Sequence, residues 1–186
     1  MQAGHNLYTD EEIIALFAKA DMQHTAFTAL VHKYQQRLYW HIRRLVVTHD
    51  DTDDILQNVL IKVWNNLATF RQEANLFTWL YRIATNETLS WLNAQKKYVA
   101  VPIDGNDEFF HNRLQAQSHF DPSKIEWRLQ QAIGTLPEKQ KLVFCMRYYD
   151  ETPYEDMSQI MGTSVGALKA SYHHAVKKVE EFLGKN

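Results

Sequence analysis

Apolar residues in this chain recur at three- and four-residue steps, and no stretch alternates convincingly at period two. That is the pattern of helices with one buried face, so the expected fold class is all-α. Phe27, Leu30, Val31, Tyr34, Leu38, Ile42 and Leu45 trace one such face. Thr48-His49-Asp50-Asp51-Thr52 interrupts it and offers helix-starting residues. Ile55, Leu56, Val59, Leu60, Val63, Trp64 and Leu67 trace a second face. Residues 70–76 break the period as a loop, after which Phe77, Leu80, Ile83, Ala84 and Leu92 mark a third helix. Thr9 and Glu12 stand at capping-box spacing and predict a short leading helix. Ser123 with Glu126, Thr135 with Glu138, and Thr152 with Glu155 repeat that spacing. Pro137 and Pro153 are expected in first helical turns, where the missing N–H costs little.

The stretch 98–124 has Pro102, Gly105 and Pro122 and no sustained helical period, which predicts a linker. The chain then divides into a helical bundle over 1–97, the linker over 98–124 and a second small helical domain over 125–186. Charge is balanced in both helical parts, with ten basic and ten acidic side chains in the first and eight of each in the second. A net charge of -2 excludes a chain that binds nucleic acid by bulk charge and leaves room only for a local basic face. The single cysteine, Cys145, excludes an intrachain disulfide and an all-cysteine metal site. It sits in the run Leu142-Val143-Phe144-Cys145-Met146 and reads as an inert buried thiol. Residues 1–12 are polar and acidic, without the apolar stretch of a secretion signal, and no run approaches the length of a membrane span. The expectation is a cytoplasmic protein.

The sharpest local pattern lies at 153–183. A short helix ends at Gly162, which can take the left-handed turn conformation. Thr163 or Ser164 then caps a second helix. Its buried face would be Val165, Leu168, Tyr172, Val176 and Val179, and its open face Gly166, Lys169, Ala170, His173 and Lys177. This is the pattern of a helix-turn-helix, whose second helix enters a major groove. By itself it fits an ordinary helical hairpin equally well. Lys139, Lys141, Lys169, Lys177 and Lys178 can supply phosphate contacts, which fix position rather than sequence.

Wider context decides between the two. Phe77-Thr78-Trp79-Leu80-Tyr81-Arg82-Ile83-Ala84-Thr85-Asn86 follows Asp53-Asp54-Ile55-Leu56-Gln57-Asn58-Val59-Leu60-Ile61-Lys62-Val63-Trp64 and Phe70-Arg71. Together these resemble conserved region 2 of the extracytoplasmic-function sigma factors, the smallest class of bacterial RNA polymerase sigma subunits. Leu136-Pro137-Glu138-Lys139-Gln140 through Val143-Phe144, with Gly162-Thr163-Ser164-Val165-Gly166-Ala167-Leu168-Lys169, resembles their region 4. The likeness covers roughly 25–97 and 125–183, with order and spacing in agreement.

The resemblance implies a factor that binds core RNA polymerase and directs it to promoters with -10 and -35 elements, and that is not itself an enzyme. It implies docking on the β′ clamp helices through Asp53, Asp54, Gln57, Asn58 and Ile61, with the β flap as a further polymerase contact. On a helix Asp54, Gln57, Asn58 and Ile61 share a face, and the two acids also suit a helix N-terminus without any partner. It implies recognition and melting of the -10 element by the loop 70–76 and the helix after it, through Phe70, Arg71, Asn75, Trp79, Arg82, Asn86 and Ser90. A base leaving the duplex needs a pocket and a stacking surface. Trp79, Phe77 and Trp91 fit core packing as well, and Lys96 and Lys97 could reach phosphates or complement the helix dipole. For the -35 element it implies Ser164, Gly166, Ala167, Lys169, Ala170, Ser171, His173, Lys177 and Lys178. Ala167, Ser171 and His174 stand where relatives often carry Thr, Arg and Arg, so two strong phosphate or guanine contacts are missing; Asn58 stands where many carry an acid, which implies weaker or differently tuned docking. The linker would run through the polymerase. Promoter DNA and core polymerase are the expected partners, an anti-sigma factor is left open, and no membrane insertion or small-molecule substrate is expected.

Other chemistry finds no support. No HExxH, Walker loop, GxGxxG or Gly-x-Ser-x-Gly occurs, and the nine histidines show no convincing ligand spacing. No catalytic residue, metal or cofactor is expected. His41, His49, His111 and His119 read as surface or helix-end residues, and Tyr148-Tyr149 as packing surface. The alternative function is a stand-alone helix-turn-helix regulator with 1–97 as a sensing or dimerising domain. It leaves the 53–86 motifs and the near-neutral charge unexplained.

Overall fold

The computed structural model describes residues 8–71, 74–98 and 125–184. Among them the chain forms eight α-helices and one 3-10 turn, without strands. The first half holds α1 (Asp10–Phe17), α2 (Gln23–Val46), α3 (His49–Asn66), the turn Leu67–Thr69 and α4 (Leu76–Tyr98). The second holds α5 (Ile125–Gly134), α6 (Glu138–Tyr148), α7 (Tyr154–Met161) and α8 (Val165–Leu183). Of the expected linker only the backbone of Tyr98 is described, as the end of α4. The rest, with Ser123, His111 and His119, lies outside the described residues.

Helix α2 is the hub. Its Ala26, Leu30, Tyr34, Leu38, Ile42 and Leu45 are buried, and it packs on α1, α3 and α4 and also on α6 of the second half. Helix α4 packs on α7, so the two halves share one contiguous apolar core. Trp64 of α3 ties the near end together, with Phe17 of α1 and Phe27 of α2 edge-on to it at 5.4 and 5.1 Å. Edge-to-face pairs suit the aromatic quadrupole.

The starts of the helices obey local chemistry unevenly. At α1 the capping box forms: Glu12 N–H donates to Thr9 Oγ1 at 3.2 Å, and Thr9 N–H to the Glu12 carboxylate at 2.7 Å. The boxes expected at Thr135 and Thr152 do not form. Pro137 and Pro153 are themselves the N-caps of α6 and α7, with ψ of 144° and 147°, one residue before the first turn. Thr135 Oγ1 instead donates to the carbonyl of Ala132, and the hydroxyl of Thr152 is buried without a hydrogen-bond partner. A proline at the cap places the extended residue that precedes a helix, and Thr135 then falls two positions, and Thr152 one position, too early for the box.

The halves meet around a buried polar cluster that corrects the reading of His41 as a surface residue. His41 is wholly buried. Its Nδ1 lies 3.0 Å from Asp150 Oδ2 and its Nε2 3.0 Å from Thr85 Oγ1. Arg44 donates to the other oxygen of Asp150. α2 ends at Val47 with φ +76° and ψ -39°, a positive-φ conformation outside the left-handed helical region that a β-branched residue adopts only under strain. Val47 is buried with Trp127 of α5. The Tyr148-Tyr149 pair divides: Tyr149 packs beneath the Arg44 guanidinium, whereas Tyr148 is exposed on one side and stacks on Phe144 at 5.2 Å.

Helix α7 ends at Gly162 with φ +61° and ψ 32°. Only glycine takes this conformation without cost. A Cβ there would meet no atom within 4 Å, so the penalty for alanine is purely conformational. Gly162→Ala should therefore destabilise the protein by about 1–2 kcal/mol, read in urea melts. Leu38→Ala, a deletion in the fully buried hub, should cost about 2–5 kcal/mol in the same experiment.

Candidate functional site

Three exposed faces carry the polar chemistry. The first lies on α3. Helix starts favour acids, and Asp50 and Asp51 fill the first turn while Thr48 donates its hydroxyl to Asp51. The next turns turn outward: Asp53, Asp54, Gln57, Asn58 and Ile61 are all exposed, Ile61 by 53%. His49 Nδ1 lies 3.5 Å from Asp53, with both side chains open to solvent. Beside them runs a groove of about 410 Å³ between α2 and α3, floored by Phe27, Leu56, Leu60 and Trp64 and edged by Gln35, Asp53, Gln57 and Ile61. An apolar floor with an acidic and amide rim can take a partner helix bearing basic residues.

The second face lies where the loop after the 3-10 turn meets α4. Asn75 caps α4 by accepting from Thr78 N–H at 2.7 Å, which commits its Oδ1 to the fold. Thr69, Phe70, Arg71, Ala74, Thr78, Trp79 and Arg82 then surround a cavity of about 390 Å³. Trp79 is half-buried and lies 5.1 Å from Phe70, so it is partly core and partly wall. Arg71 and Arg82 are exposed at the rim. The hydroxyl of Thr78 is buried and has no hydrogen-bond partner. A cavity with an aromatic wall and two guanidinium groups at its rim suits a flat ring attached to phosphate. Asn86 and Ser90 are exposed further along α4, outside the cavity lining. Lys96 and Lys97 lie in the last turns of α4, and their side chains fall outside the described residues.

The third face is α8. Ser164 caps it through Ala167 N–H at 3.3 Å, which settles the choice between Thr163 and Ser164. Leu168, Ala175 and Val179 are its buried residues, with Val165, Tyr172 and Val176 half-buried. Gly166, Ala167, Lys169, Ala170, His173, His174, Lys177 and Lys178 are exposed, and Ser171 is half-buried. Lys169 Nζ sits 5.6 Å from the ring of Tyr154 on α7, and Lys177 is 4.0 Å from Glu181.

The sequence brought these faces out, but missed some of the second. Thr69, Ala74 and Thr78 line the cavity, and so does Gln159 from α7 of the other half. Thr78 is one helical turn before Arg82, a spacing that could have signalled it. Nothing in the sequence pointed to Gln159. Among the described residues no group of three or more His, Cys, Asp or Glu side chains could hold a metal ion, and no helix is long and apolar enough to cross a membrane. Burial pushes the Cys145 thiol up to about 12, so it stays protonated near neutrality.

A four-helix half with an outward acidic groove and an aromatic slot, followed by a helix-turn-helix half, defines a two-part DNA-binding factor. The comparisons agree. The Sigma-70 region 2 model matches residues 30–98, and the Sigma-70, region 4 model matches residues 126–179. The ECF RNA polymerase sigma-E factor of Haemophilus influenzae is 28% identical over 180 residues, covering 92% of this chain and 94% of the relative. The RNA polymerase sigma-H factor of Pseudomonas aeruginosa is 28% identical over 182 residues, covering 94% and 93%. Among solved structures, CnrH in complex with the cytosolic domain of CnrY is similar with a TM-score of 0.71 and 18% identity, covering 95% of this chain and 98% of that one. The sigma factor RpoE in complex with the anti-sigma factor NepR from Bartonella quintana gives a TM-score of 0.66 and 20% identity, covering 86% and 98%. The chain belongs to the sigma-70 family of bacterial RNA polymerase subunits, in its extracytoplasmic-function class. Its work is promoter-specific initiation of transcription, with core RNA polymerase and promoter DNA as partners.

Proposed function

We propose that the three faces divide that work. The α3 face of Asp53, Asp54, Gln57, Asn58 and Ile61, with the apolar groove beside it, docks on the β′ clamp helices. The cavity at Phe70, Arg71, Trp79 and Arg82 takes a base leaving the -10 element, and Asn86, Ser90, Lys96 and Lys97 follow the strand along α4. The open face of α8 lies in the major groove of the -35 element, with the β flap holding the second half in place. The matching units are a first domain over 1–97, a linker over 98–124 and a second domain over 125–186. The factor acts in the cytoplasm as a non-enzymatic subunit. The observation that carries this reading is the slot itself, where an aromatic wall of Phe70 and Trp79 meets two rim arginines. Both similar solved structures hold a second protein, which in the Bartonella quintana complex is the anti-sigma factor NepR, and this supports an inhibitory protein as a further partner.

Run-off transcription with purified core polymerase on genomic promoters tests the reading. Discrete starts that depend on the added protein support it. Tight binding to duplex DNA by the chain alone, with no binding to core, would favour the stand-alone regulator. Ile61→Asp places a charge on the edge of the apolar groove without touching the core of the fold. It should weaken core binding by tenfold or more, about 1.4 kcal/mol, in a fluorescence titration, while the thermal midpoint barely moves. Asn86→Ala should leave core binding unchanged and lower the rate of open-complex formation, read with permanganate footprinting of unpaired thymines.

A further inference from the structure

Helix α8 is short of permanent positive charge on the side it opens to solvent. Its cations are Lys169, Lys177 and Lys178. Lys169 Nζ lies 5.6 Å from the Tyr154 ring, and Lys177 Nζ 4.0 Å from Glu181. The same side carries His173 and His174, adjacent and both exposed, with ring centroids 5.9 Å apart. At 3.6 residues per turn, sequence neighbours sit about 100° apart around the helix axis. The two rings therefore flank the line through Gly166, Ala170 and Lys177, one on each side. Gly166 and Ala170 are small and exposed, and a Cβ at Gly166 would meet no atom within 4 Å, so that line can approach a surface closely. From Val165 to His173 the helix rises about 12 Å, and the major groove is about 12 Å wide. A helix that enters N-terminus first thus brings its third turn, with both imidazoles, level with the phosphate walls.

Histidine is the side chain that changes charge between pH 5 and 8, and its protonated ring donates from both nitrogens. Phosphate oxygens beside it favour that form. The chain itself supplies few anions there. On α8, Lys169, Lys177 and Lys178 stand within a turn of one ring or the other, and Glu180 and Glu181 lie further on. Helix α6 brings Glu138, Lys139 and Lys141 at its start and Arg147 at its end. Arg147 lies 5.2 Å over the Tyr154 ring of α7, opposite which Lys169 also sits. Glu155 and Asp156 fill the first turn of α7. Helix α5 carries Glu126 and Arg128, and Arg128 donates to Leu183 O at the far end of α8. Among the described residues none of these forms a hydrogen bond or ion pair with either imidazole.

We propose that His173 and His174 each take up a proton as α8 enters the groove, so that binding to the -35 element tightens as the pH falls. The proposal rests on the reading of α8 as the -35 face. The complex then holds more protons than the free partners. Its extra affinity is fully present below the pH at which the bound rings titrate and is lost as the pH rises through it. Two added phosphate contacts also steepen the salt dependence, by about 0.9 each in the slope of log affinity against log salt.

The test uses holoenzyme, assembled from core polymerase and the full chain, with a duplex promoter fragment mapped by run-off transcription. Closed-complex affinity is read by fluorescence anisotropy at low temperature, from pH 6 to pH 8 and at several salt concentrations. Wild type is compared with His173→Gln/His174→Gln and with His173→Arg/His174→Arg. The ratio of wild-type to glutamine-variant affinity should fall about tenfold between pH 6 and pH 8. At pH 6 the wild-type salt slope should exceed that of the glutamine variant by about 1–2, and at pH 8 the two should coincide. The arginine variant should keep at pH 8 the advantage that wild type shows at pH 6. Parallel pH profiles for wild type and the glutamine variant would overturn the proposal, since any shared trend then belongs to the polymerase. A wild-type advantage that stays constant at every pH would make the histidines neutral contacts and overturn it as well. Scrambling the DNA upstream of the -10 element separates the two levels. If no form loses affinity, the -35 reading of α8 falls and the proposal with it. If all lose affinity while the profiles stay parallel, proton uptake alone is lost.

Discussion

Burial of α2 is the constraint from which the rest of the molecule follows. A 24-residue helix with an apolar face along most of its length cannot be covered by one neighbour. The chain covers it with α1, α3 and α4, and the remaining edge with α6 from the other half. Because α3 and α4 each give one face to α2, their opposite faces must point outward, and those are the faces that hold the apolar groove and the cavity beside Trp79. The site is thus a by-product of how a single helix is wrapped. The aromatic cluster on Trp64 serves both purposes: it closes α1 and α2 over α3 and supplies the floor of the groove.

Much of this was legible in advance where one periodicity decided the outcome. The faces of α2 and α3, the open face of α8 and the left-handed stop at Gly162 all depend on spacing alone, and spacing is local information. The failures share a cause too. His41 reads as polar and therefore exposed, but its position is decided by Asp150, 109 residues further along the chain. The faces of α4 were harder to read because Thr78, Thr85 and Thr88 are buried beside Leu80 and Ala84. A helix packed on two sides shows weaker amphipathicity, and buried threonines hide in it: Thr88 donates back to the carbonyl of Ala84, while Thr85 waits for a histidine. The capping boxes at Thr135 and Thr152 failed because a proline between threonine and helix takes the cap, shifting the start by two residues in the first and one in the second.

The candidate site divides along the same line. Exposure of Asp54, Gln57, Asn58 and Ile61 follows from the burial of Leu56, Val59 and Val63 on the other side of α3. The roles of Asn75 and Trp79 do not follow from any pattern, since each serves the fold and the slot together. Asn75 spends its acceptor on the start of α4, and Trp79 spends part of its surface on Phe70. Such double use makes residue types ambiguous in sequence, because burial and recognition draw on the same aromatic and amide groups.

The exposed face of α8 has a further consequence. Three lysines, no arginine, and one of those lysines near Glu181 make it a weakly cationic surface. If each lysine released the counterions of one phosphate, binding by this face would fall only about fortyfold between 50 and 200 mM salt, against a thousandfold or more for a reader of six to ten phosphates. On the proposed reading, such a helix would hold DNA only where something else brings it there. Its contribution would then weaken far less steeply with ionic strength than that of a strongly basic reader, and a rise in ion content that strips strongly basic proteins from the chromosome would cost it only a small part of that loss.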